Sequence, residues 1–160
     1  MNALAVALAA ALAAAPAGNE TRSPEINYML HCQGCHRPDG SGAPGAVPDL
    51  RGHVSVFLGS PAGRAFLVRV PGSANAPLSD RELAEVLDWI VRRFDPAHVP
   101  ADFAPYTAAE VAELRGQALT RVSDERAAIL EALKRSGPAA SPPPGSPRPG
   151  AAAAPDRRSR

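Results

Sequence analysis

Apolar residues recur along this chain at helical spacing, and no stretch alternates convincingly as a half-buried strand would. The clearest pattern is Leu83, Val86, Leu87 and Ile90, at i, i+3, i+4 and i+7, which predicts one face of an amphipathic helix. Its start is written in Leu78-Ser79-Asp80-Arg81-Glu82-Leu83. Ser79 and Glu82 form a capping box, Leu78 and Leu83 a hydrophobic staple, and Asp95-Pro96 stops the helix. Ser23-Pro24-Glu25 predicts an earlier helix, with Ser at the N-cap and Pro at the first helical position, carrying Ile26, Met29 and Leu30 towards Cys32. A Gly/Pro-rich loop follows from Pro38 to Gly52. Val54 to Val70 then reads as one or two short helices broken at Gly59-Ser60-Pro61, and Val70 to Asn75 as a loop. Further on, Thr107 with Glu110 forms a second capping box before Val111 and Leu114. Ser123 caps a last helix bearing Ile129, Leu130 and Leu133 that ends at Gly137. The fold class expected is all-α.

Composition divides the chain into four segments. Residues 1–17 contain an uncharged Ala/Leu/Val run ending in Ala15-Pro16-Ala17, which reads as a secretory signal cleaved after Ala17, although no Lys or Arg precedes the run. The run is shorter than the roughly 18 residues a membrane span requires, so no transmembrane span is expected and the location is a bacterial periplasm. Residues 18–96 hold both cysteines and the strongest helical patterns, and residues 97–136 form a helical extension. Residues 137–160, with seven prolines and no apolar periodicity, read as a disordered tail. The net charge of +1 argues against a nucleic-acid binder. It conceals a tail of net +3, from four arginines and one aspartate, beside a mildly acidic body. Aromatic residues make up only 4% of the chain, few for a core of this size, and a cofactor can supply the missing apolar mass.

The chemistry lies in Cys32-Gln33-Gly34-Cys35-His36. Two thiols three residues apart can add to the two vinyl groups of one porphyrin, and the next residue then brings an imidazole under the iron. A redox dithiol belongs beside a βαβ pattern, and none is visible. A zinc site wants a fourth strong ligand, normally in a second clustered pair, and only His31, His53 and His98 remain. A structural disulfide gives no reason for the adjacent histidine. The expected cofactor is one covalent haem c, held by Cys32 and Cys35 with His36 as axial iron ligand.

On these residues the chain resembles the class I c-type cytochromes over roughly residues 24–95. Val47-Pro48-Asp49-Leu50-Arg51-Gly52 is similar to the family's Gly-Pro-Asn-Leu-x-Gly loop, and Pro77 to Leu83 to the start of its last helix. The resemblance implies a cytochrome c-like helical domain around the haem. In it the Pro48 carbonyl accepts the hydrogen bond of the far nitrogen of His36, Leu50 packs on the haem, and Trp89 is the helix-crossing aromatic. It also exposes a departure. The family's usual distal methionine is missing, because the chain has two methionines, Met1 in the signal and Met29 on the attachment helix. His53 is the first candidate by chemistry for the distal ligand, set against a surface or propionate-facing role; Asn75 and His98 are weaker candidates, and His31 is expected to be exposed. Arg51, Arg64 and Arg69 are candidates to neutralise a haem propionate. The function implied is an electron carrier rather than a catalyst, moving single electrons between periplasmic redox protein partners. The alternative is a haem protein that binds or senses a small gas or peroxide at an open distal site, and a third reading has the extension docking a partner enzyme.

Overall fold

A computed structural model describes residues 22–136. The signal assigned to 1–17 and the tail assigned to 137–160 lie outside the described residues. Within them the chain is helical, with one isolated bridge between Ala43 and Val47 in the loop. The all-α expectation holds.

Helix α1 spans Pro24–His31, and the Ser23 hydroxyl caps it by accepting from the Ile26 amide. The short α2, Gln33–His36, follows through Cys32 and carries the rest of the attachment pattern. A 3-10 turn, Ser55–Gly59, and α3, Pro61–Arg69, occupy the stretch expected to hold one or two short helices, and Ser60 caps the second. Val70 to Asn75 is not a plain loop. Pro71 at the first helical position starts a one-turn α4, Pro71–Ala74. Helix α5, Asp80–Phe94, has its full capping box and buries Leu83, Val86, Leu87 and Ile90 as the stripe predicted.

Helix α1 differs from expectation in which face it buries. Ile26, Met29 and Leu30 stay in solvent, while Asn27 and Tyr28 are buried. Tyr28 carries the crossing with α5. Its ring centroid lies 5.1 Å from Trp89 and 5.1 Å from Phe94, so the sparse aromatics are concentrated at this one contact. Gly40 shares the same corner. It has a φ of +79°, and a Cβ there would come within 2.8 Å of the Phe94 ring, so the loop can pass over the end of α5 only as glycine.

The extension holds α6, Ala108–Arg115, and α7, Val122–Ser136. The Thr107 hydroxyl caps α6, but Glu110 does not complete the box. Its carboxylate accepts from two of the three guanidinium nitrogens of Arg64 instead, at 2.5 and 2.8 Å, a bidentate charge-assisted pair that outcompetes a neutral backbone amide. Ser123 falls inside the first turn of α7, one residue past the helix start at Val122, and not at the N-cap. Helix α6 lies against α3 and α5, and α7 against α3 and the 3-10 turn.

Candidate haem site

The elements that converge around the attachment turn leave a cleft of about 300 Å³. Cys32, Cys35 and His36 form one wall. Pro48 and Leu50 of the loop lie along it, and Leu87, Ile90 and Val91 from the α5 stripe face it. Phe57 and Phe66, stacked at 4.9 Å, close the far end together with Leu67 and Val70. This is an apolar slot with a few placed polar groups, the ordinary character of a cofactor site.

Local structure holds the wall in place. The Tyr28 hydroxyl donates to the Arg37 carbonyl at 2.6 Å, tying the buried aromatic of α1 to the turn just past His36. Arg37 adopts a left-handed φ of 57°, which lets the chain leave α2 sharply and enter the loop. Burial of the Tyr28 ring pushes its phenol up to about 12, so the hydroxyl remains a donor throughout neutral pH.

Burial also lowers the His36 imidazole below its ordinary value, and the Pro48 carbonyl acts on the ring in the opposite sense. The ring is therefore neutral and able to offer a lone pair. Its Nδ1 is buried without a hydrogen-bond partner among the described residues, so the bond to the Pro48 carbonyl that the resemblance implies is not made at full hydrogen-bond geometry. A buried ring nitrogen with no partner is costly unless something completes its surroundings. Cys32 and Cys35 are both free thiols, and burial together with the neighbouring Cys35 pushes the Cys32 thiol up to about 11. The attacking thiolate of a redox dithiol is stabilised by its surroundings, and at Cys32 burial does the reverse. Two unpaired thiols and a neutral imidazole on one turn, facing an apolar slot, fit a covalently attached haem.

The other expected residues are distributed unevenly. His53 lines the cleft from an exposed position at its edge, beside Asp49, whose carboxyl it helps to hold low. His31 is half-buried and lines the cleft as well, against the expectation of exposure. Asn75 and His98 are elsewhere: the Asn75 amide donates to the Pro71 carbonyl, and His98 pairs with the buried carboxylate of Asp95 at 2.5 Å. Met29 is 53% exposed and not part of the cleft.

None of the three candidate arginines lines the cleft. Arg51 is tied to Asp49 and Asp39, Arg64 to Glu110, and Arg69 to the Gln117 carbonyl, each drawn away by a partner the linear sequence does not display. Arg126 takes the place they were given. It comes from α7, lines the cleft half-buried, lies 5.8 Å from the centre of the Phe57 ring, and has no ion-pair or hydrogen-bond partner among the described residues. Val122 reaches the cleft from the same helix. Sequence reasoning read α7 as packing and passed over both. Their spacing, i and i+4 on one helix, was the available signal.

A helical body with an apolar slot and this turn at its wall defines a class of protein, the c-type cytochromes. No family model matches the chain, but cytochrome c-552 of Thermus thermophilus is 37% identical over 107 residues, covering 56% of this chain and 82% of the relative. A second relative of the same name, from a designated strain of Thermus thermophilus, is also 37% identical over 107 residues, with 72% of that relative covered. The chain belongs to the class I c-type cytochromes, and the one cofactor of that family is a covalent haem c.

Proposed function

We propose that this cytochrome carries single electrons between redox proteins of a bacterial periplasm, after export and removal of residues 1–17. Cys32 and Cys35 hold the haem through thioethers, His36 is its axial ligand, and Pro48 and Leu50 pack against it. The observation that carries this reading is the attachment turn itself, with two unpaired thiols and a neutral imidazole on one wall of an apolar cleft. Residues 18–96 make the haem body and residues 97–136 a helical cover.

When bound, the haem supplies a one-electron ferric/ferrous couple whose potential responds to axial ligand, charge and burial. The residues around it do the tuning. The α5 stripe and the Phe57–Phe66 stack exclude water, which disfavours the more highly charged ferric state. Arg126 presents an unneutralised positive charge to a cofactor that has carboxylates to offer, and acts in the same direction.

The distal ligand is not methionine. Met29 points to solvent on the outer face of α1, and Met1 belongs to the export signal. His53 stands exposed at the cleft edge beside Asp49, a position from which it would meet a haem carboxylate more readily than the iron. The residues of this chain would therefore leave the distal side of a haem open or weakly ligated. Absorption and EPR spectra of the purified protein, with and without carbon monoxide, test these points together. A reversible ferric/ferrous couple with no methionine–iron charge-transfer band, unchanged in His53→Ala, is the expected result. A methionine–iron band contradicts the distal assignment, and a low-spin centre that turns high-spin in His53→Ala would make His53 the ligand. An iron that cannot be cycled contradicts the carrier itself.

A further inference from the structure

We propose that a second cavity, which shares Arg126 and His53 with the haem cleft, binds a small organic carboxylate and thereby adjusts the reduction potential. The site rests on its own residues; its effect on the potential rests on the electron-carrier reading. The cavity has a volume of about 500 Å³ and is walled by α7, the Ser55–Gly59 turn and a second 3-10 turn, Pro96–His98. Three basic side chains line it, His53, His98 and Arg126, and no carboxylate lines it among the described residues. Val56, Pro100 and Leu130 supply apolar walls. Basic groups set among hydrocarbon, with no acid to answer them, complement an anion that carries an apolar body.

The donors are held ready. Arg51, Arg64, Arg69 and Arg115 are all taken up by carboxylates or carbonyls, whereas half-buried Arg126 has no such partner among the described residues. Its planar fork suits a carboxylate, whose two oxygens accept two parallel N–H bonds. His98 is oriented from beneath. Asp95, 2% exposed, accepts from the Ser55 amide at 2.8 Å and pairs with Nδ1 of the His98 ring at 2.5 Å. That bond fixes the ring's direction and leaves Nε2 as the atom it can offer. A protonated ring donates through both nitrogens, to Asp95 on one side and to a ligand on the other. The walls then decide between anions. A phosphate or sulfate loses hydration against Val56, Pro100 and Leu130 and gains nothing from them. A carboxylate with a hydrocarbon body pairs with Arg126 and buries its carbon against those three side chains.

Arg126 couples the two cavities, because it lines both. Its unneutralised charge at the haem cleft favours the ferrous state, and a carboxylate paired with it from the second cavity cancels that charge. The ferric protein should then bind the carboxylate about three- to tenfold more tightly than the ferrous protein. Linkage requires the ferric/ferrous equilibrium to shift by the same factor at saturation, a fall of about 30–60 mV at roughly 59 mV per tenfold. A haem carboxylate that reached Arg126 first would leave neither effect.

Benzoate is the probe, titrated by calorimetry into the haem-loaded full chain at constant ionic strength, with phosphate and sulfate in parallel. Saturable binding at one site per chain is expected, roughly tenfold or more tighter than either inorganic anion. Arg126→Gln should weaken it by roughly tenfold or more, and Arg126→Lys should recover part of the loss. Val56→Asp sets a negative charge on a wall residue that is 42% exposed, so the fold is kept, and it should weaken binding as much. The potential of the wild type, followed by spectroelectrochemistry, should fall as benzoate saturates the site, while that of Arg126→Gln stays level. Absence of saturable benzoate binding, or equal binding in wild type and Val56→Asp, overturns the site. Phosphate or sulfate binding as tightly as benzoate overturns the ligand class. A ferric absorption spectrum that shifts on binding puts the anion on the iron and also overturns the site. Saturable binding with a level potential overturns the coupling. A protein that binds benzoate but cannot be cycled overturns the carrier reading and leaves the site standing.

Discussion

The body and the extension of this cytochrome are held by different physics. The body is an apolar assembly: the α5 stripe, the Tyr28–Trp89–Phe94 crossing and the Phe57–Phe66 stack bury around the haem cleft. The extension buries little, with Tyr106, Val111 and Ile129 its fully covered apolar side chains. Polar clamps attach it instead. Arg64 forks onto Glu110, donates to the Ala104 carbonyl, and lies 3.9 Å from the centre of the Tyr106 ring. Arg115 donates to the carbonyls of Ala74, Ala76 and Leu78 and pairs with Asp80 at 2.9 Å. A segment with too little apolar area to hold itself down can still be fixed by planar guanidinium groups that satisfy several acceptors at once.

That contrast predicts unequal consequences. Replacing both Cys32 and Cys35 by Ala strikes the body's centre and should have the largest effect, a haem-free chain that no longer unfolds cooperatively. The cleft walls would then enclose nothing, and the small aromatic complement cannot replace the lost apolar mass. Haem staining after denaturing electrophoresis, with far-ultraviolet circular dichroism, checks this; a normal haem-linked band would contradict it.

Arg115→Ala strikes a clamp. It leaves the Leu78 carbonyl without its donor and Asp80 without its cation, and should cost about 2–3 kcal/mol in urea unfolding. Hydrogen exchange should rise mainly over residues 108–136, while the haem spectrum stays unchanged. A changed spectrum would mean that the clamp holds the body as well.

Arg126 is where the two regions meet, so Arg126→Gln sharpens the comparison. Losing a positive charge at the cleft stabilises the ferric state, and the potential should fall by some tens of millivolts, where 59 mV is a tenfold shift for one electron. Arg126→Lys should recover part of it. Spectroelectrochemical titration reads both, and equal potentials in wild type and Arg126→Gln would confine α7 to packing.

The smallest expected effect belongs to Asp49. Hydrogen bonds from Arg51 hold its carboxyl at about 2, below the unfolded value of roughly 3.9. Its contribution to stability is complete above the unfolded value and fades as pH falls through about 2. Asp49→Asn should therefore lower stability slightly at neutral pH, and the difference from wild type in a stability–pH curve should shrink as pH falls from about 4 towards about 2. Exposure keeps the effect small.

What the sequence made legible follows the same division. Local signals served well: the Ser79–Glu82 box, the Leu83–Ile90 stripe, the Ser23 cap and the Asp95-Pro96 stop all stand where the pattern put them. Signals that depend on a distant partner did not. Glu110 reads as a capping residue until Arg64, far off in sequence, claims it. Arg51 and Arg69 stand as candidates for a haem propionate until Asp49 and the Gln117 carbonyl take them, and Arg126 comes into view only when α7 folds back on Phe57. The burial of α1 was misjudged for a related reason. Its apolar residues look like a core face, but the crossing with α5 is made through Tyr28 beside Trp89, which turns Ile26, Met29 and Leu30 outwards.

The central claim is that the turn from Cys32 to His36 holds one haem by covalent bonds, and intact mass under denaturing conditions tests it most directly. Protein purified from a host that exports and matures c-type cytochromes should have the mass of the polypeptide plus one haem, and the excess should persist through acid and organic solvent. The bare polypeptide mass from that same host, with both thiols free to alkylation, would contradict the account.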